Sequence, residues 1–409
     1  MKIIHTADWH LCDRLGPRID RTPDLNARIE RVAALCMEHT ADVLLIAGDL
    51  FSEQATVEQM TEALGNLRRF FTPFFQRGGT ILAITGNHDR DGRINMVRAG
   101  MTLASPVAGQ DGNLPCGRMY LLNGRALATL TGADGKRVQF VLVPYPFASR
   151  YNVSATDFRT KEEENRLLHT KVAEWVRDVV DEKNFDVTLP TVLTAHLHVR
   201  GAELGGVSKY LITERDEVMV DFADLNTSWS YVALGHIHTP QCVGGMSHVR
   251  YPGSLDRLDF GETHDGHGVL LLKVDGANRV EPEHLPIPAT PFHTVELTDP
   301  ATELSTLTQR YPDHDTAIVR VNVTPSTGGP SRDEISRELR RVFPRLHAVT
   351  WGEVERPVGE ATPSVWTPGS VFGPTVIDYL TRQLTATADP DAACVLELAE
   401  TFLKVEANS

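Results

Sequence analysis

Five short apolar runs in this chain each give way, at their C-terminal ends, to side chains that can hold a cation. KIIHTA (2–7) releases Asp8, Trp9 and His10, and DVLLIAG (42–48) releases Asp49. TILAITG (80–86) releases Asn87, His88 and Asp89 in succession. TVLTAH (191–196) ends in His196, with His198 two residues on, and YVALGH (231–236) gives His236, then Ile237 and His238. One such histidine is ordinarily a satisfied core or surface residue. Five strand ends behaving alike point instead to ligands gathered at one sheet edge, where layered α/β folds bind substrates. Carboxylates, imidazoles and one amide oxygen make a mixed N/O donor set. That suits Mn²⁺, Fe²⁺ or Zn²⁺ better than Ca²⁺, whose shell is all oxygen. A pair of ions about 3.5–4 Å apart binds phosphate oxygens together with an activated water for in-line attack. Glycine precedes Asp49, Asn87 and His236, which predicts sharp turns and room for a substrate to approach.

Helices must position these strands. DLNARIERVAALCMEH (24–39) sets Leu25, Ile29, Val32 and Cys36 on one stripe. TVEQMTEALGNLRRFF (56–71) opens with Thr56 and Gln59 in capping-box spacing. Residues 162–182 give a third helix, its apolar stripe Leu168, Val172, Trp175 and Val179. Two further apolar runs, VQFVLVP (138–144) and GVLLLKV (268–274), complete a set of seven. Continuous rather than alternating apolar runs predict strands buried on both faces, and their alternation with helices predicts an α/β layered core to about residue 285. HLPIPATPF (284–292) then reads as a linker. HTVEL, AIVRVNV, SRDEISRELRRVF and LHAVTW follow as a small β-β-α-β unit. After the loose stretch 356–370 come two amphipathic helices, with Phe372, Val376, Leu380 and Leu384 on one and Val395, Leu398, Ala399 and Phe402 on the other.

Bulk properties bound the function. The 409 residues imply two or three structural units. No apolar run approaches the roughly 18 residues of a membrane span, and the N-terminus, acidic at Asp8, is not a signal peptide. Five cysteines without C-x-x-C spacing fit a reducing, cytoplasmic setting, and with no long apolar run no membrane partner is expected. A net charge of −14 argues mildly against a polyanionic partner. Residues 61–150 run the other way, with eleven Lys and Arg against five Asp and Glu. That window reads either as a solvated arginine-rich face or as a phosphate-binding surface.

The ordered series D-x-H, G-D, G-N-H-D, a lone His and G-H-x-H resembles the calcineurin-like metallophosphoesterases. Within that superfamily GDLF (48–51), YVALGHIHTPQ (231–241) and YPGSLDRLDFGE (251–262) look like the DNA double-strand-break repair nucleases. The resemblance covers the chain to about residue 285 and is weaker beyond. It implies a metallophosphoesterase β-sandwich flanked by helices (1–285), a small α+β capping domain (286–360), and a helical tail (361–409) that binds a partner. It implies two divalent ions, Mn²⁺ foremost, with Mg²⁺, Fe²⁺ or Zn²⁺ as other candidates. The first would take Asp8, His10, Asp49 and His238; the second would take the bridging Asp49, Asn87, His196 and His236. His88 would be the non-ligand histidine that protonates the leaving oxygen or stabilises the transition state, with Asp89 orienting it and His198 a neighbour. The implied partners are double-stranded DNA ends and hairpins and a coiled-coil ATPase, in a heterotetramer built on a homodimer. Arg90 and Arg93, just past the G-N-H-D turn, are candidate DNA contacts.

Two positions depart from that family: Ser52 stands where a His or Asp is usual, and Arg90 where Ser is frequent. Ser52 cannot act as an imidazole, so weaker end degradation than nicking is expected. The other readings are a phosphoesterase of small phosphodiesters and a non-catalytic DNA-end scaffold. The first leaves YPGS…DFGE and the tail unexplained, and the second leaves unexplained why every motif position is filled.

Overall fold

The computed structural model describes residues 1–103, 114–204, 213, 215–225, 228–262, 266–276, 279–325, 329–352 and ten helical positions between 376 and 399. Those up to Gly352 belong to one compact unit and the ten tail positions to a second.

Strand β1 (Lys2–Thr6) leads through the two-residue strands β2 (Arg14–Leu15) and β3 (Ile19–Asp20) to helix α1 (Thr22–Glu38). Strand β4 (Val43–Ala47), helix α2 (Val57–Gln76), strand β5 (Thr80–Ile84) and helix α3 (Asp91–Leu103) continue the alternation. Next come β6 (Met119–Leu122), β7 (Ala126–Thr131), β8 (Arg137–Val143) and α4 (Lys161–Asp178), then β9 (Thr191–His196). The short β10 (His198–Val199) and β11 (Met219–Val220) pair only with each other, in parallel. They are followed by β12 (Tyr231–Gly235), β13 (Gln241–Val243), β14 (Met246–Tyr251), β15 (Gly268–Lys273) and β16 (Glu283–Pro286).

Two six-stranded sheets result, ordered β16-β15-β1-β4-β5-β6 and β13-β14-β12-β9-β8-β7. Strands β1, β4, β5 and β6 run parallel to one another, as do β8, β9, β12 and β14. Alternation along each strand sorts its side chains to two faces. In β4, Val43 and Leu45 join Phe140, Leu142, Val192 and Tyr231 in the layer between the sheets. Leu44 and Ile46 instead pack with Ile29 and Val32 of α1 and Leu67 and Phe71 of α2. In the second sheet Leu193, Ala195, Val232 and Leu234 meet Leu168 and Val172 of α4. Both faces of each sheet are therefore dry, which is why the strands read as unbroken apolar runs. All seven expected runs are strands and all three expected helices form. The Thr56–Gln59 capping box closes in both directions, at 2.9 and 3.3 Å.

The remaining strands are a parallel ladder of β17 (Phe292–Leu297), β18 (Ile318–Val323) and β19 (Leu346–Trp351). Here the expected β-β-α-β order is corrected. Residues between β17 and β18 form two helical turns, α5 (Pro300–Glu303) and α6 (Leu307–Arg310), and α7 (Arg332–Val342) joins β18 to β19. Parallel neighbours cannot be joined by a tight hairpin, so each link needs a crossover. The expected linker is also not loose throughout: β16 pairs antiparallel with β15, and Ile287 and Thr290 are buried. Of the tail helices, the described Val376, Ile377, Tyr379, Leu380, Thr381, Leu384, Val395, Leu396, Leu398 and Ala399 are helical, while Phe372 and Phe402 lie outside the described residues. No helix among the described residues is long and apolar enough to cross a membrane.

A buried ionic joint ties the β17–β19 unit to the sandwich. Arg21, with no exposed surface, donates to Asp24 Oδ2 (2.8 Å), Asp256 Oδ2 (3.1 Å) and the Arg257 carbonyl (2.7 Å), and lies over the Phe292 ring. Asp24 in turn accepts from Arg345, on the turn before β19. Removing Arg21 leaves Asp256, which has no exposed surface, with only Arg28 at 3.6 Å as a charged neighbour, and breaking a buried pair costs on the order of 3–5 kcal/mol. Arg21→Met is therefore expected to lower the unfolding free energy by about 3 kcal/mol in urea titrations.

Candidate metal centre

Strand register brings the ligands together. Thr6 pairs with Ile46, Ala47 with Ile84, and Gly235 with His196, so the C-terminal ends of β1, β4 and β5 in one sheet and β9 and β12 in the other finish level. Asp8, Asp49, Asn87, His196 and His236 follow within three residues of those ends or lie at them. The turns are tight: Asp8, His10, Asp49 and His236 all have positive φ (54°, 45°, 51° and 100°). Left-handed backbone at non-glycine residues costs of order 1–3 kcal/mol each and persists only where the surroundings enforce it. Asp8 is held by its backbone N–H, which donates to the Gly48 carbonyl, and by its carboxylate, which accepts the His236 N–H at 3.1 and 3.2 Å.

The glycines do something other than admit a substrate. A Cβ on Gly48, itself at φ +98°, would stand 2.0 Å from His196 Nδ1. One on Gly86 would stand 2.0 Å from Asp49 Oδ1. These positions are empty so that ligand side chains can occupy them.

Three overlapping nests of donor atoms result, each with its atoms within 4.8 Å of one another: Asp8, His10 and His238; His10, Asp49 and His88; and Asp8, Asp49 and His196. Asp49 Oδ2 lies 3.6 Å from His10 Nε2 and 3.3 Å from His196 Nε2. Asn87 Oδ1 is 3.0 Å from both His196 Nε2 and His236 Nδ1. His238 Nε2 is 4.0 Å from Asp8 Oδ1. All seven expected ligands thus converge. His10 Nε2 is buried without a hydrogen-bond partner although an Asp49 oxygen is nearby. The cleft above them, about 170 Å³, is lined by Asp49, Asn87, His88, His236, His238, Glu217, Asp259 and Glu262 among others, and none of its described lining residues is Lys or Arg. A carboxylate-rich cleft without Lys or Arg repels a phosphate, and cations lying between them would offset that repulsion. The donor set therefore fits divalent ions.

Electrostatics agree. Burial opposes ionisation of Asp49, but His196, His10 and His88 more than offset it and hold its carboxyl well below the usual range. Burial and the Asp49 charge raise Asp8 despite His196 and His238 nearby. Burial works against charging His196 too, yet Asp49 and Asp8 lift it to about 9. Glu262 and Asp8 likewise lift His238 to about 10 against its burial. Burial drives His10 far below the ordinary imidazole value.

Three expectations change at the rim. Asp89 does not orient His88. It is fully buried, its two oxygens accept the backbone N–H groups of Gly86, Leu50 and Phe51 (2.9, 3.1 and 3.0 Å), and burial with Asp49 raises it to about 6. It pins the β4 and β5 loops together. The carboxylates near His88 are Asp49 and Glu53, the latter 3.8 Å from Nδ1 and marked by no sequence pattern. Ser52 is buried and donates to Asp13 at 3.1 Å. Arg90 pairs with Glu53 and Arg93 donates to its carbonyl. The basic window is neither of the two alternatives as a whole: Arg77, Arg98 and Arg150 reach back to main-chain carbonyls. Sequence reasoning also missed Glu217 and Glu262. Glu262 Oε1 lies 3.0 Å from His238 Nδ1, and Glu217 bridges His236, at 2.8 Å, and His198. Burial alone would raise the Glu217 carboxyl, but these two imidazoles hold it far below the usual range.

Residues 1–240 match the sequence profile of the Calcineurin-like phosphoesterase family, and the chain belongs to that family of metal-dependent hydrolases of phosphoester bonds. Among curated relatives it is similar to the D subunit of the nuclease SbcCD of Escherichia coli K12, 28% identical over 71% of this chain and 69% of that one. The protein of the same name from Rhodobacter capsulatus is 28% identical over 70% and 69%. A solved dimetal phosphatase from Danio rerio covers 70% of this chain and 99% of its own at 12% identity, with a TM-score of 0.41.

The two raised imidazoles set a pH dependence for the metal-free protein. The folded state keeps these protons above the ordinary value of 6.5, where an unfolded chain has lost them, and releases them as pH climbs to about 9 and 10. Stability from these two groups is thus present at pH 6.5 and lost by pH 10. The unfolding midpoint of chelator-treated protein is expected to fall across that window in differential scanning calorimetry.

Proposed function

We propose that this chain is a metal-dependent DNA nuclease that works with an SbcC-like coiled-coil ATPase on duplex ends and hairpins. The observation that carries the reading is the convergence of two carboxylates, four imidazoles and an amide oxygen at a cleft whose described lining has no Lys or Arg. Support for DNA as substrate comes from the relatives named as the D subunit of the nuclease SbcCD, whose similarity spans more than two thirds of both chains.

Asp8, His10, Asp49 and His238 would hold one ion, and Asp49, Asn87, His196 and His236 the other, with Asp49 shared. Mn²⁺ is the ion we expect. When bound, such a pair lowers the pKa of a water and neutralises charge on the phosphate. The chain's own contributions are positional. Asp8 and Asp49 hold their rotamers through backbone N–H groups of His236 and His88. His88 has the most exposed imidazole of the set, its side chain 36% accessible, at the mouth of the cleft. It is placed to give a proton to the leaving oxygen. Asp89 keeps the turn beneath it rigid. Arg90 and Arg93 spend part of their charge on Glu53, so phosphate contacts by them would compete with that bond.

We take residues 286–360 as a capping domain and 361–409 as the segment that docks on the ATPase within a heterotetramer built on a homodimer. Isolated helices this short are marginal in water and gain from a partner groove. Tyr379, Val395 and Leu398 are exposed apolar side chains there. Deleting residues 363–409 is expected to leave hydrolysis of bis-p-nitrophenyl phosphate intact and to abolish co-purification with the ATPase. Retained tight binding would place that interface elsewhere.

The catalytic reading is tested with end-labelled duplex and hairpin DNA in Mn²⁺. Asp49→Ala should lose activity on every substrate, because two coordination shells are disturbed together. His88→Ala should keep its metal content while turnover falls about 10²-fold or more. Loss of an ion from the His88 variant, measured by plasma mass spectrometry, would make that residue a ligand instead.

A further inference from the structure

The short ladder β10–β11, pairing His198 with Met219, exists beside the centre and carries two side chains toward it. Glu217, two residues before Met219, places Oε2 2.8 Å from His236 Nε2, and its Oε1 meets His198 Nδ1. The opposite ring nitrogen of His236, Nδ1, lies 3.0 Å from Asn87 Oδ1, inside the centre. A neutral imidazole carries one N–H and one lone pair. Which nitrogen offers the lone pair inward is decided by what the other nitrogen donates to.

We propose that Glu217, clamped by His198, is a positioning residue that keeps the proton of His236 on Nε2 and so presents Nδ1 to the second ion. The proposal rests on the two-ion reading above. Its logic recurs on the neighbouring histidine with the nitrogens exchanged. His238 turns Nε2 toward Asp8 and gives Nδ1 to Glu262, whose other oxygen is fixed by Ser254 Oγ (2.8 Å) and the Leu258 N–H (3.1 Å). Two histidines only two residues apart thus present opposite nitrogens, so no single neighbour can set both. Glu262 comes from the chain after β14, and Glu217 from the bend leading into β11, which pairs with the strand that begins at His198. A bidentate position between two imidazoles also keeps the Glu217 carboxylate from turning inward to become a ligand itself. The three groups His198, Glu217 and His236 have donor atoms within 4.8 Å of one another, so a third ion is the competing account of the same cluster.

The test is titration of chelator-treated protein with Mn²⁺, followed by calorimetry and by paramagnetic resonance of free Mn²⁺. The wild-type protein is expected to bind two ions. Glu217→Ala should weaken one of the two steps about 10–100-fold, the range for loss of a carboxylate behind a histidine ligand, and leave the other step unchanged. Glu217→Gln keeps an oxygen that can accept the Nε2–H, so it should recover part of that loss. His198→Ala removes only the clamp and should fall between wild type and Glu217→Ala. Nitrogen chemical shifts of the metal-free protein should show His236 protonated at Nε2 in wild type and a tautomer mixture in Glu217→Ala. Should Glu217→Ala fail to fold, the Gln and His198 variants carry the same comparison. Two wild-type affinities in Glu217→Ala would overturn the positioning role while sparing the two-ion reading. A third wild-type ion lost in that variant would make the cluster a site of its own and overturn the proposal. A wild-type protein that binds no Mn²⁺ would overturn both readings.

Discussion

Two carboxylates with essentially no solvent exposure, Asp8 and Asp49, face one another with oxygens within 4.8 Å. At an effective dielectric of about 20, two charges at that separation repel by roughly 3.5 kcal/mol, and burial adds to the cost. Much of the surrounding architecture answers that repulsion. Backbone N–H groups of His236 and His88 point at the two carboxylates, and four imidazoles surround them. Protonated His196 and His238 supply partial compensation in the metal-free protein. Divalent ions would supply it fully, so the centre is built at the expense of stability and regains it by binding.

That expense is carried by a frame that cannot relax. Each sheet is sealed on one face by helices and on the other by its partner sheet, and the β1, β4, β5, β9 and β12 backbones are fixed in register by apolar layers on both sides. Four strained left-handed residues can persist because the strands entering them cannot shift. Asp89 extends the same rigidity into the loops by tying Gly86 to Leu50 and Phe51. Its buried carboxylate is structural, although in sequence it stands beside the histidine it was expected to serve. The Arg21–Asp24–Asp256 joint, with Arg345 on Asp24, secures the small parallel ladder to the sandwich.

Much was legible in the sequence because it depends on local chemistry or on one-dimensional period. Unbroken apolar runs mark strands dry on both faces, so β1, β4, β5, β8, β9, β12 and β15 could be read directly. Thr56 and Gln59 declare a capping box within one turn of helix. Metal-capable side chains at five strand ends needed only the rule that ligands gather at the C-terminal edge of parallel strands; the seven ligands implied by the family resemblance do converge there. Short, half-exposed strands such as β6, β13 and β16 carry no such signature and were not foreseen.

What only the tertiary structure decided is who faces whom across long separations. Glu217 and Glu262 lie 19 and 24 residues from the histidines they hold; the segment of Glu217 has no period or spacing that ties it to the centre, and the motif ending at Glu262 gave that carboxylate no role. His198 sits two residues past His196 yet belongs to a different ladder, so its partner is a glutamate rather than the centre. Arginines counted in the basic window turn inward to main-chain carbonyls of a helix end, a strand and a loop. Residue type and spacing determine which groups can do chemistry. The orientation of a ring nitrogen or a guanidinium is set by its nearest acceptor, and that acceptor is known only once the sheets have closed on each other.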